Sequence, residues 1–183
     1  PFVHRTPVLT SQQIDRISGA HLFFKCENFQ KVGAFKFRGA TNAVMKLTEA
    51  ERASGVVTHS SGNHAAALSH AAVSRGVKAY IVMPSTAPEV KKRAVAGYGA
   101  EITFCEPTLA AREAAAAGVI RRTGATMIHP YDNFNIIAGQ GTAALEALTT
   151  CTDADAIIAP VGGGGLLSGT SIAARHMIPS IKI

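Results

Sequence analysis

Along the chain, short runs rich in β-branched and apolar residues alternate with longer stretches whose apolar positions recur every three or four residues. The short runs His21–Cys26, Val56–His59, Lys78–Met83, Glu101–Cys105, Ala125–His129, Ala156–Pro160 and Ile181–Ile183 read as strands. Phe37–Leu47, His64–Arg75, Pro88–Gly97, Thr108–Thr123, Ile136–Leu148 and Leu166–Met177 read as helices. Strands that alternate with helices predict an α/β protein built on a parallel sheet with crossover helices. Gly76 and Gly124 follow helices and suit the left-handed residue that ends a last turn; Pro88 suits a first turn, and Thr48-x-x-Glu51 is a capping-box pattern. The units between Val56 and Phe134 are compact and consecutive, which predicts a small α/β lobe over 56–134. Residues 1–55 and 135–183 then share a second, larger lobe with its own sheet.

Composition narrows the class. The chain has 183 residues, 47% of them hydrophobic and 16% charged, which is a globular balance and excludes collagen, coiled-coil and disulfide-scaffold architectures. No apolar run reaches the ~18–20 residues of a membrane span, and Pro1-Phe2-Val3-His4-Arg5 lacks the apolar core of a signal peptide. Cys26, Cys105 and Cys151 are odd in number and far apart, so a reducing, cytoplasmic setting is expected. The formal charge of +6 could serve nucleic acid, a membrane surface or small anions. Its only tight clusters, Lys91-Lys92-Arg93 and Arg121-Arg122, lie on predicted helices, and there is no Trp to stack bases. The expectation is a small-molecule protein without nucleic-acid or membrane partners. The chain starts without Met and stops at Ile181-Lys182-Ile183, where a strand is just beginning, so a truncated C-terminus is expected.

Three motifs carry chemistry. Val161-Gly162-Gly163-Gly164-Gly165-Leu166 stands between an apolar run and a helix. Four glycines let the backbone approach a ligand with several N–H groups inward, and the following helix adds its positive N-terminal dipole, so this is a phosphate cradle. Gly33-Ala34-Phe35-Lys36-Phe37-Arg38-Gly39 puts a lysine between two phenylalanines at a helix start. Apolar surroundings lower an ammonium's pKa toward the nucleophilic amine that Schiff-base chemistry requires. Thr58-His59-Ser60-Ser61-Gly62-Asn63-His64 offers hydroxyls, an amide and free N–H groups where a strand hands over to a helix, a receptor for a carboxylate or a ring hydroxyl. The ATP-type Gly-x-x-x-x-Gly-Lys-Ser/Thr pattern, the Gly-x-Ser-x-Gly elbow and His-Glu-x-x-His are absent. His59, His64 and His70 are too loosely spaced for a zinc set, and Gly139-Gln140-Gly141-x-x-Ala144 matches a dinucleotide fingerprint only weakly, inside a helix start.

Together, and in this order, the three motifs resemble the fold type II pyridoxal-phosphate enzymes, most closely their serine racemase and threonine dehydratase branch. The resemblance runs from Thr6-Pro7-Val8-Leu9 through Phe23-Phe24-Lys25-Cys26-Glu27-Asn28-Phe29-Gln30 to the tetraglycine. It implies three-layer α/β/α parallel sheets in two lobes, the large lobe being incomplete because members of the family continue well past Ile183. It implies that Lys36 carries pyridoxal 5′-phosphate as a Schiff base, that Phe35 packs beside the ring and that Asn63 hydrogen-bonds the ring hydroxyl. Gly162, Gly163, Gly164, Gly165 and Leu166 would hold the phosphate, and Ser60, Ser61, Asn63 and His64 would receive the substrate carboxylate. His129-Pro130-Tyr131-Asp132 and Ile137-Ala138-Gly139-Gln140-Gly141-Thr142 match the family as well, which removes the dinucleotide reading.

The activity implied is loss of water from serine, threonine or 3-hydroxyaspartate, giving a 2-oxo acid and ammonia, with racemisation as a second outcome. Lys36 would be the base on one face and Ser61 the acid on the other, since racemase-like relatives carry Ser where dehydratases carry Ala. Arg112 matches an arginine of the racemase-like branch and could grip an acidic side chain, which adds aspartate to the substrates. Tyr131 looks more like the aromatic of dehydratases. By resemblance the protein would be a homodimer, with Mg2+ or Ca2+ held by residues beyond the end of this chain and Tyr98 as a contact for an activating nucleotide. The β-replacement enzymes of the same fold carry a different substrate loop. The alternative to an enzyme is a non-catalytic or regulatory fragment.

Overall fold

The computed structural model describes residues 2–183. Strand β1 (Val8–Leu9) pairs antiparallel with β2 (Phe24–Lys25), and between them lies α1 (Gln12–Ser18). Helix α1 is absent from the pattern reading because it buries no residue; what starts and stops it is local, Ser11 Oγ accepting from Ile14 N–H and Gly19 at φ 69°. The expected strand His21–Cys26 shrinks to two residues because β1 is its sole partner among the described residues and is itself two residues long. Two 3-10 turns, the second with Val32 at φ 58°, lead into α2 (Lys36–Met45), followed by α3 (Glu49–Ser54) behind the Thr48–Glu51 capping box that the sequence announces.

From there strands and helices alternate as expected: β3 (Val56–His59), α4 (Asn63–Val73), β4 (Ala79–Pro84), α5 (Glu89–Gly97), β5 (Glu101–Cys105), α6 (Leu109–Thr123) and β6 (Thr126–Met127). The four strands form one parallel sheet in the order β5-β4-β3-β6. Alternate residues face opposite layers, as the strand period of two requires. Val56, Ala79, Ile81 and Met83 pack with α4 and with Phe37 and Val44 of α2, whereas Val57, Tyr80 and Val82 pack against Ala116 and Val119 of α6. Gly124, at φ 71°, closes α6 as predicted.

Helices α7 (Phe134–Thr150) and α8 (Gly165–Met177) pack on each other, and α2 lies between α7 and α4. Contact at these crossings is backbone to backbone. A Cβ on Gly139 would lie 2.5 Å from the Cα of Gly39 and 2.8 Å from the Arg38 carbonyl oxygen, and one on Gly141 would lie 2.7 Å from the Gly169 carbonyl oxygen. The Gly139-Gln140-Gly141 motif is therefore a helix-packing motif, in agreement with setting the dinucleotide reading aside. The expected strands Ala156–Pro160 and Ile181–Ile183 meet only as a single parallel bridge, Ala156 with Lys182. A ladder needs further partners, and Ile158 stays 93% exposed.

Candidate active site

The strand order places the site. Strands β3 and β6 are neighbours although β4 and β5 come between them in sequence, so the order in which the chain adds strands to the sheet reverses at β3. Open α/β sheets bind ligands at such a switch point. A crevice of about 360 Å³ lies there, lined by His59 at the end of β3, Ser60 and Ser61 after it, Arg112 from α6, and Pro130 and Tyr131 after β6.

Lys36, the first residue of α2, reaches the same segment from behind. Its Nζ donates to the Pro130 carbonyl oxygen at 2.7 Å and stands 5.4 Å from the centre of the Phe35 ring. Burial lowers the pKa of its ammonium group, as the flanking phenylalanines predict. On the other side of Tyr131 lies the glycine turn. A Cβ on Gly163 would overlap the Tyr131 ring, and one on Gly165 would lie 2.9 Å from the Tyr131 carbonyl oxygen. Gly162 and Gly164 have open space where a side chain would be, with Gly164 at φ 88°. No side chain caps α8 among the described residues, so its first N–H groups are left for a ligand at the positive end of the helix. Leu166 is half-buried in that first turn. A desolvated amine, an adjacent aromatic ring and an open, uncapped glycine turn fit a phosphorylated aldehyde cofactor.

Pro130 and Tyr131 thus join the three motifs: Lys36 on Pro130, Gly163 and Gly165 on Tyr131, and Ser60 and Ser61 across the crevice from both. Two expected site residues have side-chain surroundings of their own. The His64 ring is 2% exposed, and its Nε2 lies 3.1 Å from the Ile128 carbonyl oxygen, to which it donates, while Nδ1 has no partner among the described residues. Burial pushes its pKa down to about 3 against the opposing pull of the Ile128 carbonyl, so the ring is neutral. Asn63 is exposed and lines a neighbouring cavity of about 180 Å³ with Ala66, Lys91 and Tyr98. Tyr98 itself stacks on His70 with ring centres 5.0 Å apart.

Some residues at the site carry no signal in the pattern reading. The Pro130 contribution is a backbone carbonyl, which residue type does not reveal. His59 faces the crevice edge-on to His129, ring centres 5.9 Å apart. Arg38, two residues after Lys36, is wholly buried between Glu27 and Glu146, partners separated by 11 and 108 positions. Among the described residues, no three His, Cys, Asp or Glu side chains cluster as a metal site.

Comparison with known proteins agrees with this geometry. Serine racemase of Dictyostelium discoideum is 54% identical over 182 residues, covering 100% of this chain and 56% of the relative. The beta-hydroxyaspartate dehydratase of Paracoccus denitrificans is 50% identical over 183 residues, covering 100% of this chain and 58% of the relative. The chain therefore spans about half the length of the curated relatives it matches. The crystal structure of the Dictyostelium discoideum serine racemase superposes with a TM-score of 0.96 over 99% of this chain and 59% of that one. The match to the family described as "Pyridoxal-phosphate dependent enzyme" extends over residues 1–183. With a fold, a desolvated lysine and a glycine turn that all fit, this chain belongs to the pyridoxal-phosphate dependent enzyme family, in its fold type II architecture.

Proposed function

We propose that the protein eliminates water from serine, threonine or 3-hydroxyaspartate, and that it also racemises its substrate. The observation that carries this reading is the placement of Lys36: its half-buried amine donates to the carbonyl oxygen of Pro130, which lines the crevice and precedes the Tyr131 that packs on the glycine turn. Relatives named serine racemase and beta-hydroxyaspartate dehydratase support both outcomes.

Pyridoxal phosphate, when bound, supplies an electron sink that makes the α-proton of an amino acid acidic. Lys36 would hold it, with Gly162, Gly163, Gly164, Gly165 and Leu166 around its phosphate, Phe35 beside its ring and Asn63 at its hydroxyl. Freed for catalysis, the Lys36 amine takes the α-proton at Nζ; its lowered pKa keeps more of it in the form that accepts a proton. Ser60, Ser61 and the backbone of Asn63 and His64 would orient the substrate carboxylate. The Ser61 hydroxyl returns a proton to the opposite face when the product is the enantiomer. The reading extends to a cytoplasmic homodimer, to two lobes divided at 56–134, and to a divalent cation as activator.

Borohydride reduction of the cofactor-loaded protein, followed by peptide mass mapping, should place the fixed cofactor on Lys36; label on another lysine sinks the site. Ser61→Ala should abolish racemisation and spare water loss, read by chiral separation and 2-oxo acid formation. Equal loss of both refutes the two-face assignment.

A further inference from the structure

We propose that His64 is a positioning residue for Lys36: through the Ile128 carbonyl its imidazole ties the start of α4 to the segment that holds the Lys36 amine, so that the polar loop before α4 and the amine keep one spacing. This rests on the function proposed above and adds a residue to its machinery.

The hydrogen bonds follow one short stretch of chain. The ladder between β3 and β6 ends with the Ile128 N–H on the Val57 carbonyl oxygen at 2.9 Å. The carbonyl of the same residue goes to a side chain instead, accepting from His64 Nε2 at 3.1 Å. Two residues on, the Pro130 carbonyl oxygen accepts from Lys36 Nζ at 2.7 Å. His129, between them, is tied down in turn, its Nδ1 accepting from the Asp132 N–H at 2.9 Å. His64 is the second residue of α4, so the same ring fixes the point where the loop Ser60-Ser61-Gly62 becomes helix.

Packing alone does not account for an imidazole at this position. The ring is buried, and because Nε2 must carry the proton that the carbonyl accepts, Nδ1 is a bare acceptor without a partner among the described residues. An unsatisfied buried polar atom costs about 1–3 kcal/mol, which a leucine in the same space would not incur. What leucine lacks is a donor for Ile128. Without that donor the Ile128 carbonyl must turn toward water, and the segment carrying the Lys36 acceptor moves with it. The half-buried amine, held below its ordinary pKa by desolvation, then meets water and returns toward that value.

The test reads Lys36 in the full chain before cofactor is added. Competitive acetylation with trace acetic anhydride across a range of pH, followed by peptide mass mapping, reports the deprotonation of each amine separately, and circular dichroism checks that each variant is folded. His64→Leu should move the Lys36 profile upward by about one pH unit or more, toward that of an ordinary lysine. His64→Gln, whose amide N–H can stand where Nε2–H does, should keep the wild-type profile. Val119→Ala, which opens a cavity on the other face of the sheet, should also keep it although it destabilises the fold. In the wild type, imidazole nitrogen NMR shifts should show Nε2 protonated and Nδ1 bare. The opposite tautomer, a displaced His64→Gln profile, a folded His64→Leu with an unmoved profile, or an equal shift in Val119→Ala overturns the role. Acetylation needs no cofactor, so failure of borohydride to fix the cofactor on Lys36 counts against the proposed function, while these outcomes still decide the role of His64.

Discussion

Replacing Arg38 by Met removes one charge from the best-connected polar group in the protein. The Arg38 side chain is 0% exposed. It donates to Glu27 through Nε at 2.7 Å and Nη2 at 2.8 Å, to Glu146 through Nη1 at 2.7 Å and Nη2 at 2.8 Å, and to Thr142 at 3.1 Å. Lys25 reaches Glu146 at 2.7 Å. Met keeps the apolar stem but leaves two carboxylates, 16% and 19% exposed, with Lys25 as their remaining cation. Breaking a buried pair by removing one partner costs about 3–5 kcal/mol. At ~2–4 °C per kcal/mol for a chain of this size, the melting temperature should fall by roughly 6–20 °C, read by circular dichroism. The triple variant Arg38→Met, Glu27→Gln, Glu146→Gln should regain much of the loss. A single variant that loses less than about 1 kcal/mol, or a triple variant as unstable as the single, refutes the reasoning. Acid provides a second reading. Burial alone would raise the Glu146 pKa, but hydrogen bonds and charge from Arg38 and Lys25 outweigh it and hold the carboxyl at about 2, below its ordinary 4.5. Its contribution is full above about 4.5 and fades as pH falls toward 2, so Arg38→Met should move the acid-unfolding limb to higher pH.

Two further predictions separate sites that look alike in sequence. Gly118→Ala, in α6 with nothing nearer than the Arg121 side chain at 3.8 Å, should stabilise by up to about 1 kcal/mol, whereas Gly139→Ala should destabilise by about 1–3 kcal/mol because its Cβ strikes the backbone of α2; urea unfolding of the two variants should give opposite signs. His64, held near 3 in the fold against an ordinary 6.5, contributes stability above pH 6.5 that is lost as pH falls toward 3. Equilibrium unfolding of His64→Asn against pH should show a shallower slope across that window, and an unchanged slope would mean the ring is not buried neutral.

What could be read from the sequence follows from the range of the forces involved. Val56–His59 and Glu101–Cys105 were legible to the residue because a short run rich in β-branched and apolar residues, ended by a turn, is a local signal. So were the Thr48 capping box and Gly124, which satisfy backbone groups within one turn. Helix α1 was not, since it buries nothing and offers only the exposed Ile14 and Ile17 at helical spacing, and Val32 is a β-branched residue in a left-handed conformation that no local preference favours. Lys36, Ser61 and the glycines were visible as residue types suited to chemistry. Their meeting on Pro130 and Tyr131 was not, because a backbone carbonyl and a ring packed on glycine leave no mark in composition. The Asn63 and His64 roles came from the family resemblance; which way each side chain turns was not legible, because helix geometry sends successive side chains to different faces, one toward the second cavity and one inward.

The position of Lys36 also explains why so much unusual structure gathers on α2. A lysine keeps a lowered pKa only if its long side chain cannot swing into water, and that requires the helix beneath it to stay still. Three independent contacts hold α2 to α7: the ion pairs of Arg38, the backbone approach of Gly39 to Gly139, and Asn42 Nδ2 donating to the Asn135 carbonyl oxygen at 2.8 Å. Helix α7 in turn begins at Phe134, three residues after Tyr131, with Asn133 capping it through the Ile136 N–H. The segment that accepts the Lys36 hydrogen bond is therefore the lead-in to the helix that clamps Lys36's own helix. Amine and acceptor are fixed by one closed circuit, α2 to α7 to Pro130 and back, so a displacement of either helix should change the lysine's environment before it changes the crevice.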